Sequence, residues 1–213
     1  MSKSLRVLIV ENSEDDTQLI LHELKGGGYE PNFERVDTRE EMIEALNKQA
    51  WDIILCDYVM PNFSGLEAVK LLQGKELDIP FIVISGKIGE DIVAVTMKAG
   101  AHDYIGKGNL MGLAPAIDRE LKEAETRKER KRAEVSVRRL ATVLQDSNDA
   151  VTVQDFDGNV IAWNKGAAKM YGWTEQEALK MNIAKTVPEH KRKEMKSFIE
   201  RMHKADEVES FET

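Results

Sequence analysis

Leu55-Cys56-Asp57-Tyr58-Val59-Met60-Pro61 ends an apolar run on a single carboxylate. Residues 51–56 are almost unbroken in their apolarity, the pattern of a strand buried on both faces of a parallel sheet. Asp57 follows directly, outside the carboxyl end of that strand, where open α/β sheets gather their ligand chemistry. Pro61 and Gly65 then turn the chain toward the next helix. An acid at a strand tip also serves simply to cap the loop after it. Its meaning therefore depends on what the other strands bring to the same edge.

On both sides of that stretch the same alternation repeats. Residues 5–10 read as a buried strand, and residues 14–25 as a helix with Ile20 and Leu24 on one face, stopped by Gly26-Gly27-Gly28. Residues 32–36 predict a short strand. Thr38 and Glu41 stand in capping-box register ahead of Met42, Ala45 and Leu46, as do Ser64 and Glu67 ahead of Val69 and Leu72. A fourth strand over 81–84 ends at Ser85-Gly86, and a fourth helix over 91–99 has Gly100 at its C′ position. A fifth strand spans 102–105, and a long helix starts near Met111 with Pro115 in its first turns. Five successive βα units predict an α/β fold, a doubly wound sheet with a parallel core.

Composition narrows the class. At 213 residues, two small domains are the better expectation. A charged share of 32% against 42% hydrophobic describes a soluble globular chain. No apolar run reaches the length of a membrane span, and the N-terminus lacks the apolar stretch of a signal peptide. The single cysteine, Cys56, lies in a strand pattern, which excludes a disulfide framework or a cysteine metal cluster and implies cytoplasmic residence. Residues 1–112 hold 19 acidic against 11 basic side chains, an unfavourable field for nucleic acid. The basic run Arg127-Lys128-Glu129-Arg130-Lys131-Arg132 is interleaved with glutamate and reads as a solvated helix face.

From Ile117 to about Leu144 the chain is helix-forming throughout, without glycine or proline. Ile117, Leu121 and Ala124 make an apolar stripe, Lys128 and Lys131 interrupt it, and Ala133, Val137, Leu140 and Leu144 resume it in shifted register. An ideal coiled coil does not break this way. The pattern fits a signalling helix that pairs with its copy, strongest at its two ends, or a single exposed connecting helix.

Three strand tips can meet Asp57: Glu11 and Asn12 after the first strand, Ser85 ending the fourth, and Lys107 after the fifth. A carboxylate, an oxygen-rich metal-binding edge, a hydroxyl and a fixed ammonium are the parts that phosphoryl transfer to a carboxylate requires. In the run from Asp57 to Gly65, in Ser85-Gly86 and in Tyr104-Ile105-Gly106-Lys107, residues 1 to about 124 resemble the response-regulator receiver domain of two-component signalling. The resemblance implies a five-stranded, flavodoxin-like sheet with Asp57 as phosphoacceptor. It further implies Mg²⁺ held by Glu11, Asn12, Asp57 and the Val59 carbonyl, Ser85 and Lys107 on the phosphoryl oxygens, and Tyr104 as an aromatic switch coupled to Ser85.

Two positions depart from that family's pattern. Asn12 stands where a second acid is usual, which removes one negative charge and predicts weaker metal binding. Gly108 follows Lys107 where proline is common, so a trans peptide is expected there. Val59, two residues past the acceptor, is apolar where the hydrolytic water would approach. Glu14, Asp15 and Asp16 read as favourable first-turn helix charges rather than as metal ligands.

The remainder changes character. Residues 150–155 and 160–163 flank Asp157-Gly158, a strong hairpin signal. Thr174 and Glu177 form a third capping box, Pro188 precedes a helix running to about Lys204, and residues 208–211 suit a strand. Asn148-Asp149-Ala150-Val151, the run from Asp155 to Ile161, Trp163-Asn164-Lys165-Gly166-Ala167 and Met170-Tyr171-Gly172-Trp173 resemble the N-terminal part of an α+β PAS sensor domain. That family closes its sheet with further strands, so the segment is expected to be truncated. Cysteine is absent here, which excludes a flavin–thiol adduct. His190 and His203 read as solvent-facing, and Trp163, Met170 and Tyr171 as core rather than cofactor contacts.

Together these features predict a receiver over 1–124, a helical linker over 125–139 and a partial PAS domain over 140–213. The expected partners are a sensor histidine kinase or phosphotransfer protein, and a second copy of the chain meeting it through helix 91–99, strand 102–105 and the helix from 111. Neither nucleic acid nor membrane is expected as a partner, and a turnover enzyme is not expected. The rival reading is a receiver-like dimerisation or interaction scaffold that works without phosphorylation. A dehalogenase-type phosphohydrolase would want a second acid at position 59, where Val59 stands, and a dinucleotide enzyme would want a glycine-rich turn after the first strand.

Overall fold

Alternation along the strands decides how the first unit packs. The computed structural model describes residues 2–75, 77–86, 90–155, 157–194 and 197, and the chain divides into two units, Met1–Arg130 and Lys131–Thr213. In the first, β1 (Lys3–Val10), β2 (Tyr29–Val36), β3 (Ile53–Asp57), β4 (Phe81–Ser85) and β5 (Asp103–Gly106) form one sheet in the order β2-β1-β3-β4-β5, with every neighbouring pair parallel. Leu8, Val10, Ile54, Cys56 and Val83 point to one face, against Met42, Ala45 and Leu46 of α2 (Arg39–Lys48) and Ala68, Val69 and Leu72 of α3 (Gly65–Gly74). Leu5, Val7, Ile9, Ile53, Leu55, Ile82 and Ile84 point to the other. There they meet Ile20, Leu21 and Leu24 of α1 (Glu14–Gly26) and Leu113, Ala116 and Ile117 of α5 (Leu113–Asp146). A strand flanked on both faces is apolar along nearly its whole length, and β3 and β4 are buried throughout, with a polar residue, Asp57 or Ser85, only at the last position of each.

Several boundaries differ from the sequence expectation. β2 begins at Tyr29, three residues before the predicted start, and includes Pro31, which an edge strand tolerates because its other side pairs with nothing. A 3-10 turn over Lys107–Gly112 precedes α5, so the long helix starts at Leu113 instead of Met111. The chain has no cis peptide among the described residues, so Lys107–Gly108 is trans as expected. The fourth helix is α4 (Glu90–Lys98), and Gly100 takes the left-handed φ of +108° after it.

Only the first turns of α5 are buried, at Leu113, Ala116, Ile117 and Glu120. Arg127 ties the helix to the segment before β4: its Nη2 donates to Asp78 Oδ1 at 3.0 Å and lies 3.3 Å from His102 Nε2. His102 Nδ1 accepts the Phe81 N–H, and burial, with the Arg127 charge beside it, holds the imidazole below its ordinary pKa. Beyond Arg130 the resumed stripe lies in solvent, with Val137, Leu140 and Leu144 all exposed. Among the described residues no helix is long and apolar enough to cross a membrane.

In the second unit β6 (Thr152–Gln154) and β7 (Val160–Trp163) pair antiparallel. Asp155 Oδ1 accepts the N–H groups of Asp157 and Asn159, and Gly158 turns the hairpin at φ +83°. β6 is shorter than the predicted 150–155, and its register with β7 shifts between Val153 and Gln154. α6 (Lys165–Tyr171) and α7 (Glu175–Ala178) close over a small core of Val160, Trp163, Ala167, Ala178, Met181 and Ile183. Trp163 is core, as expected. Met170 is not: Ala167 and Ala168 fill the inward side of this two-turn helix, leaving Met170 64% exposed and Tyr171 at its rim. His190 is exposed in a 3-10 turn over Glu189–Lys191. His203, the strand expected over 208–211 and the far part of the helix expected to reach Lys204 lie outside the described residues.

Gly65 sets the distance between α3 and the end of β3. Its N–H donates to the Tyr58 carbonyl, and a Cβ there would lie 2.8 Å from the Asp57 carbonyl oxygen and 2.9 Å from the Tyr58 Cα. Both obstacles are backbone. Gly65→Ala is expected to cost about 1–3 kcal/mol, read as a thermal midpoint lowered by several degrees. A midpoint within one degree of wild type would refute this close packing.

Candidate functional site

The carboxyl ends of the parallel strands lie along one edge of the sheet, and the strand order reverses at β1. At that edge β1, β3 and β5 each bring one charged side chain to a common crevice. Glu11 follows β1 and is 1% exposed. Its Oε1 accepts the Ser13 N–H at 2.9 Å, while Oε2 accepts Lys107 Nζ at 2.9 Å. Asp57 closes β3 and is also buried. Its Oδ2 accepts Lys107 Nζ at 2.9 Å, and its Oδ1 accepts the Val59 N–H at 3.3 Å. Lys107 enters from just past β5 and donates to a third carboxylate as well, Asp16 in the first turn of α1.

Burial pushes the Lys107 ammonium toward the neutral form. The hydrogen bonds to Asp16, Glu11 and Asp57 outweigh that effect and hold its pKa well above the ordinary lysine value. The stabilisation from this raised pKa is therefore fully present below the unfolded lysine value. It is lost only as pH rises through the folded one.

Ser85 is fully buried at the tip of β4, one residue past Ile84, which pairs with Asp57. Across the sheet Ser85 pairs with Gly106, next to Lys107. Tyr104 is half-buried within β5, opposite Val83. The structure thus brings Glu11, Asp57 and Lys107 into direct contact and sets Ser85 on the adjoining strand end. Asn12 is exposed and Val59 is 53% exposed, so only the Val59 N–H is seen engaging Asp57.

Two nearly buried carboxylates that share one ammonium are close enough to share a metal ion, and oxygen donors of this kind suit a hard divalent cation such as Mg²⁺. The donor set fits. Lys107 occupies the common point, and among the described residues no group of three or more acidic, histidine or cysteine side chains is arranged as a metal cluster.

Asp16 is the residue that sequence reasoning assigned only to the helix start. It does sit in the first turn, but its carboxylate reaches the crevice. The available signal was its register. Three residues past the Ser13 cap, an acid at this position ordinarily folds back on the cap N–H; here Glu11 holds that N–H instead.

Comparison with known proteins places this geometry. The family model described as the response regulator receiver domain matches residues 7–113, and the PAS fold model matches residues 138–213. The cell cycle transcriptional regulator CtrA of Caulobacter vibrioides is 30% identical over 103 residues, 48% of this chain and 44% of that protein. The phosphate regulon transcriptional regulatory protein PhoB of Pseudomonas aeruginosa is 33% identical over 103 residues, 47% of this chain and 44% of its own length. The matched region therefore spans less than half of these relatives. Among solved structures, FixJ-N superposes with a TM-score of 0.50 at 26% identity, covering 55% of this chain and 94% of that one. The receiver domain of the Francisella response regulator 1452 superposes at 0.50 with 21% identity, covering 56% and 98%.

Removing the shared cation tests the electrostatics directly. Lys107→Met leaves Glu11 and Asp57 buried beside one another, and such a group costs about 1–3 kcal/mol when its partner is lost. Uncompensated carboxylates titrate upward, so the folded variant binds protons more readily than its unfolded chain and its deficit shrinks as pH falls. Urea midpoints at pH 7 and pH 5 should show the variant well below wild type at pH 7 and closer to it at pH 5. An equal deficit at both values would overturn the carboxylate assignment.

Proposed function

The chain belongs to the response regulator receiver family, with a PAS fold after the receiver, and from that premise we propose that Asp57 accepts a phosphoryl group from a sensor histidine kinase or phosphotransfer protein. The observation that carries this reading is the Lys107 ammonium, bonded at once to Asp57 and Glu11 at the switch point of the sheet. In the transfer, an Asp57 carboxylate oxygen attacks phosphorus, the phosphorus–nitrogen bond of a phosphohistidine breaks, and the imidazole leaves with the electron pair. Asp57 becomes an acyl phosphate. Lys107 remains beside it to offset the phosphoryl charge, and the Ser85 hydroxyl donates to a phosphoryl oxygen. Glu11, Asn12, Asp57 and the Val59 carbonyl would hold Mg²⁺, which when bound would supply further positive charge to those oxygens. Tyr104 is the side chain that follows Ser85 in the response.

In this reading the receiver spans residues 1–124, the linker 125–139 and the PAS segment 140–213. The protein acts in the cytoplasm as a phosphoryl acceptor rather than as a turnover enzyme. The signal passes along α5 toward the PAS segment. A second copy meets the chain through α4, β5 and α5, supported by the exposed Val95 and Met97 of α4 and the exposed Val137, Leu140 and Leu144 of α5.

The second reading, an interaction scaffold independent of phosphorylation, is favoured by Asn12, an exposed amide where an acid would strengthen metal binding. Incubation with a small phosphodonor, with and without Mg²⁺, followed by intact mass, separates the two. A phosphoryl adduct that needs Mg²⁺ and is absent in Asp57→Asn is expected; no adduct at high Mg²⁺ means the scaffold. For the helix, Val137→Glu with Leu140→Glu should convert a dimer to a monomer in light scattering while receiver folding is retained. A molar mass unchanged by that pair would place the dimer contact elsewhere.

A further inference from the structure

Glu11, Asp16 and Asp57 surround one ammonium, and together with Lys107 they leave two negative charges uncompensated. Each of the three is held in place by something other than Lys107. Glu11 takes the Ser13 N–H, Asp57 takes the Val59 N–H, and Asp16 is fixed by the helix that starts beneath it. The hold on Asp16 differs from that on the corresponding acids of α3 and α7. Ser64 with Glu67 and Thr174 with Glu177 form complete capping boxes, in which the acid three residues past the cap returns to the cap N–H. At α1 the Ser13 Oγ accepts the Asp16 N–H, as in those boxes, but the Ser13 N–H is taken by Glu11. The Asp16 carboxylate is thereby released from capping and points to Lys107.

We propose that Asp16 is a positioning residue of the acceptor site: it carries, one helical turn on, the negative charge that Asn12 lacks, and it keeps Lys107 at the rim when a divalent cation takes Glu11 and Asp57. This rests on the phosphoacceptor reading of the site. Lys107 stands at the point shared by Glu11 and Asp57, so a cation entering there must displace it from at least one of them. Asp16 is the most exposed of the three carboxylates, its side chain 33% accessible against 1% for Glu11 and 8% for Asp57. An ammonium retained by Asp16 stays within reach of Asp57 without occupying the metal position. Both effects, the added charge and the alternative seat, favour cation entry.

Charge relocation tests this. Mn²⁺ affinity, read from loss of the free-ion paramagnetic resonance signal with Mg²⁺ as competitor, is compared among wild type, Asp16→Asn, Asn12→Asp and the double variant Asn12→Asp/Asp16→Asn. Asp16→Asn keeps side-chain size and the Ser13 cap, and thermal melting verifies that each variant is folded. One charge removed at this range from a divalent ion weakens binding about tenfold. Asn12→Asp should tighten it, and the double variant should return to within about threefold of wild type, since the charge is moved rather than lost. A purely structural role for Asp16 would not be rescued at position 12. An Asp16→Asn affinity equal to wild type, or a double variant as weak as Asp16→Asn alone, overturns the proposal. Absence of Mn²⁺ binding in all four overturns it together with the metal assignment. Because no phosphodonor is present, the titration decides the role of Asp16 even for a chain that never accepts a phosphoryl group. A chain that phosphorylates on Asp57 while Asp16→Asn binds Mn²⁺ normally overturns this inference alone.

Discussion

The ammonium of Lys107 is the constraint around which the first unit is arranged. Carboxylates as deeply buried as Glu11 and Asp57 are costly to keep ionised unless a cation meets them, and here one side chain meets both. That requirement links strands that do not all pair: β1 and β3 supply the acids, while β5 at the far edge supplies the base. Strands β3 and β4, fully buried and apolar up to their last residues Asp57 and Ser85, are what allow it, because a close-packed core holds the three strand ends at a fixed spacing. The site is therefore a consequence of sheet order, and the charge that balances its two buried acids belongs to the protein itself.

A comparable role in the second unit falls to an uncharged residue. Asn164 is nearly buried and caps α6. Its Oδ1 accepts the N–H groups of Val151 and Ala167, both at 2.8 Å, and its Nδ2 donates to the carbonyls of Leu144 at 2.9 Å and Asp149 at 2.8 Å. One amide thus joins the end of α5, the segment entering β6 and the start of α6. Gly166 makes the same junction possible by its lack of a side chain, since a Cβ there would lie 2.2 Å from the Asp149 carbonyl oxygen. The motif Trp163-Asn164-Lys165-Gly166-Ala167 is in this light a core tryptophan, a buried amide hub, and two small residues that let backbones approach.

What could be read from residues alone follows the same division between local and converging forces. Strand and helix order, the stop at Gly26 to Gly28, the capping boxes at Ser64 and Thr174 and the hairpin at Gly158 are local matters of periodicity and backbone freedom, and all were legible. The strand tips carrying Glu11, Asp57, Ser85 and Lys107 were legible too, because sheet order follows from the βα repeat. The start of β2 was not, since Pro31 looks like a boundary unless the strand is known to be an edge. The turn of Asp16 toward Lys107 was hidden for a different reason. It depends on Glu11 having taken the cap N–H, a contest between two acids that no spacing rule decides.

The change of register in α5 has a physical origin in the same structure. Up to Arg127 the helix answers to the sheet: Leu113, Ala116 and Ile117 fill its core, and Arg127 pairs with Asp78 beside His102. Lys128 and Lys131, which break the apolar stripe, come where that face runs out of sheet to cover, next to the boundary between the two units at Arg130. Once the helix is clear, nothing compels the next apolar positions to stay on the old face. Ala133, Val137, Leu140 and Leu144 instead follow their own four-three-four spacing, the spacing of a seam between helices. The break is therefore not a defect in one coiled coil. It marks the point where the helix leaves the sheet it covers, beyond which Val137, Leu140 and Leu144 lie exposed on one side of a highly charged helix.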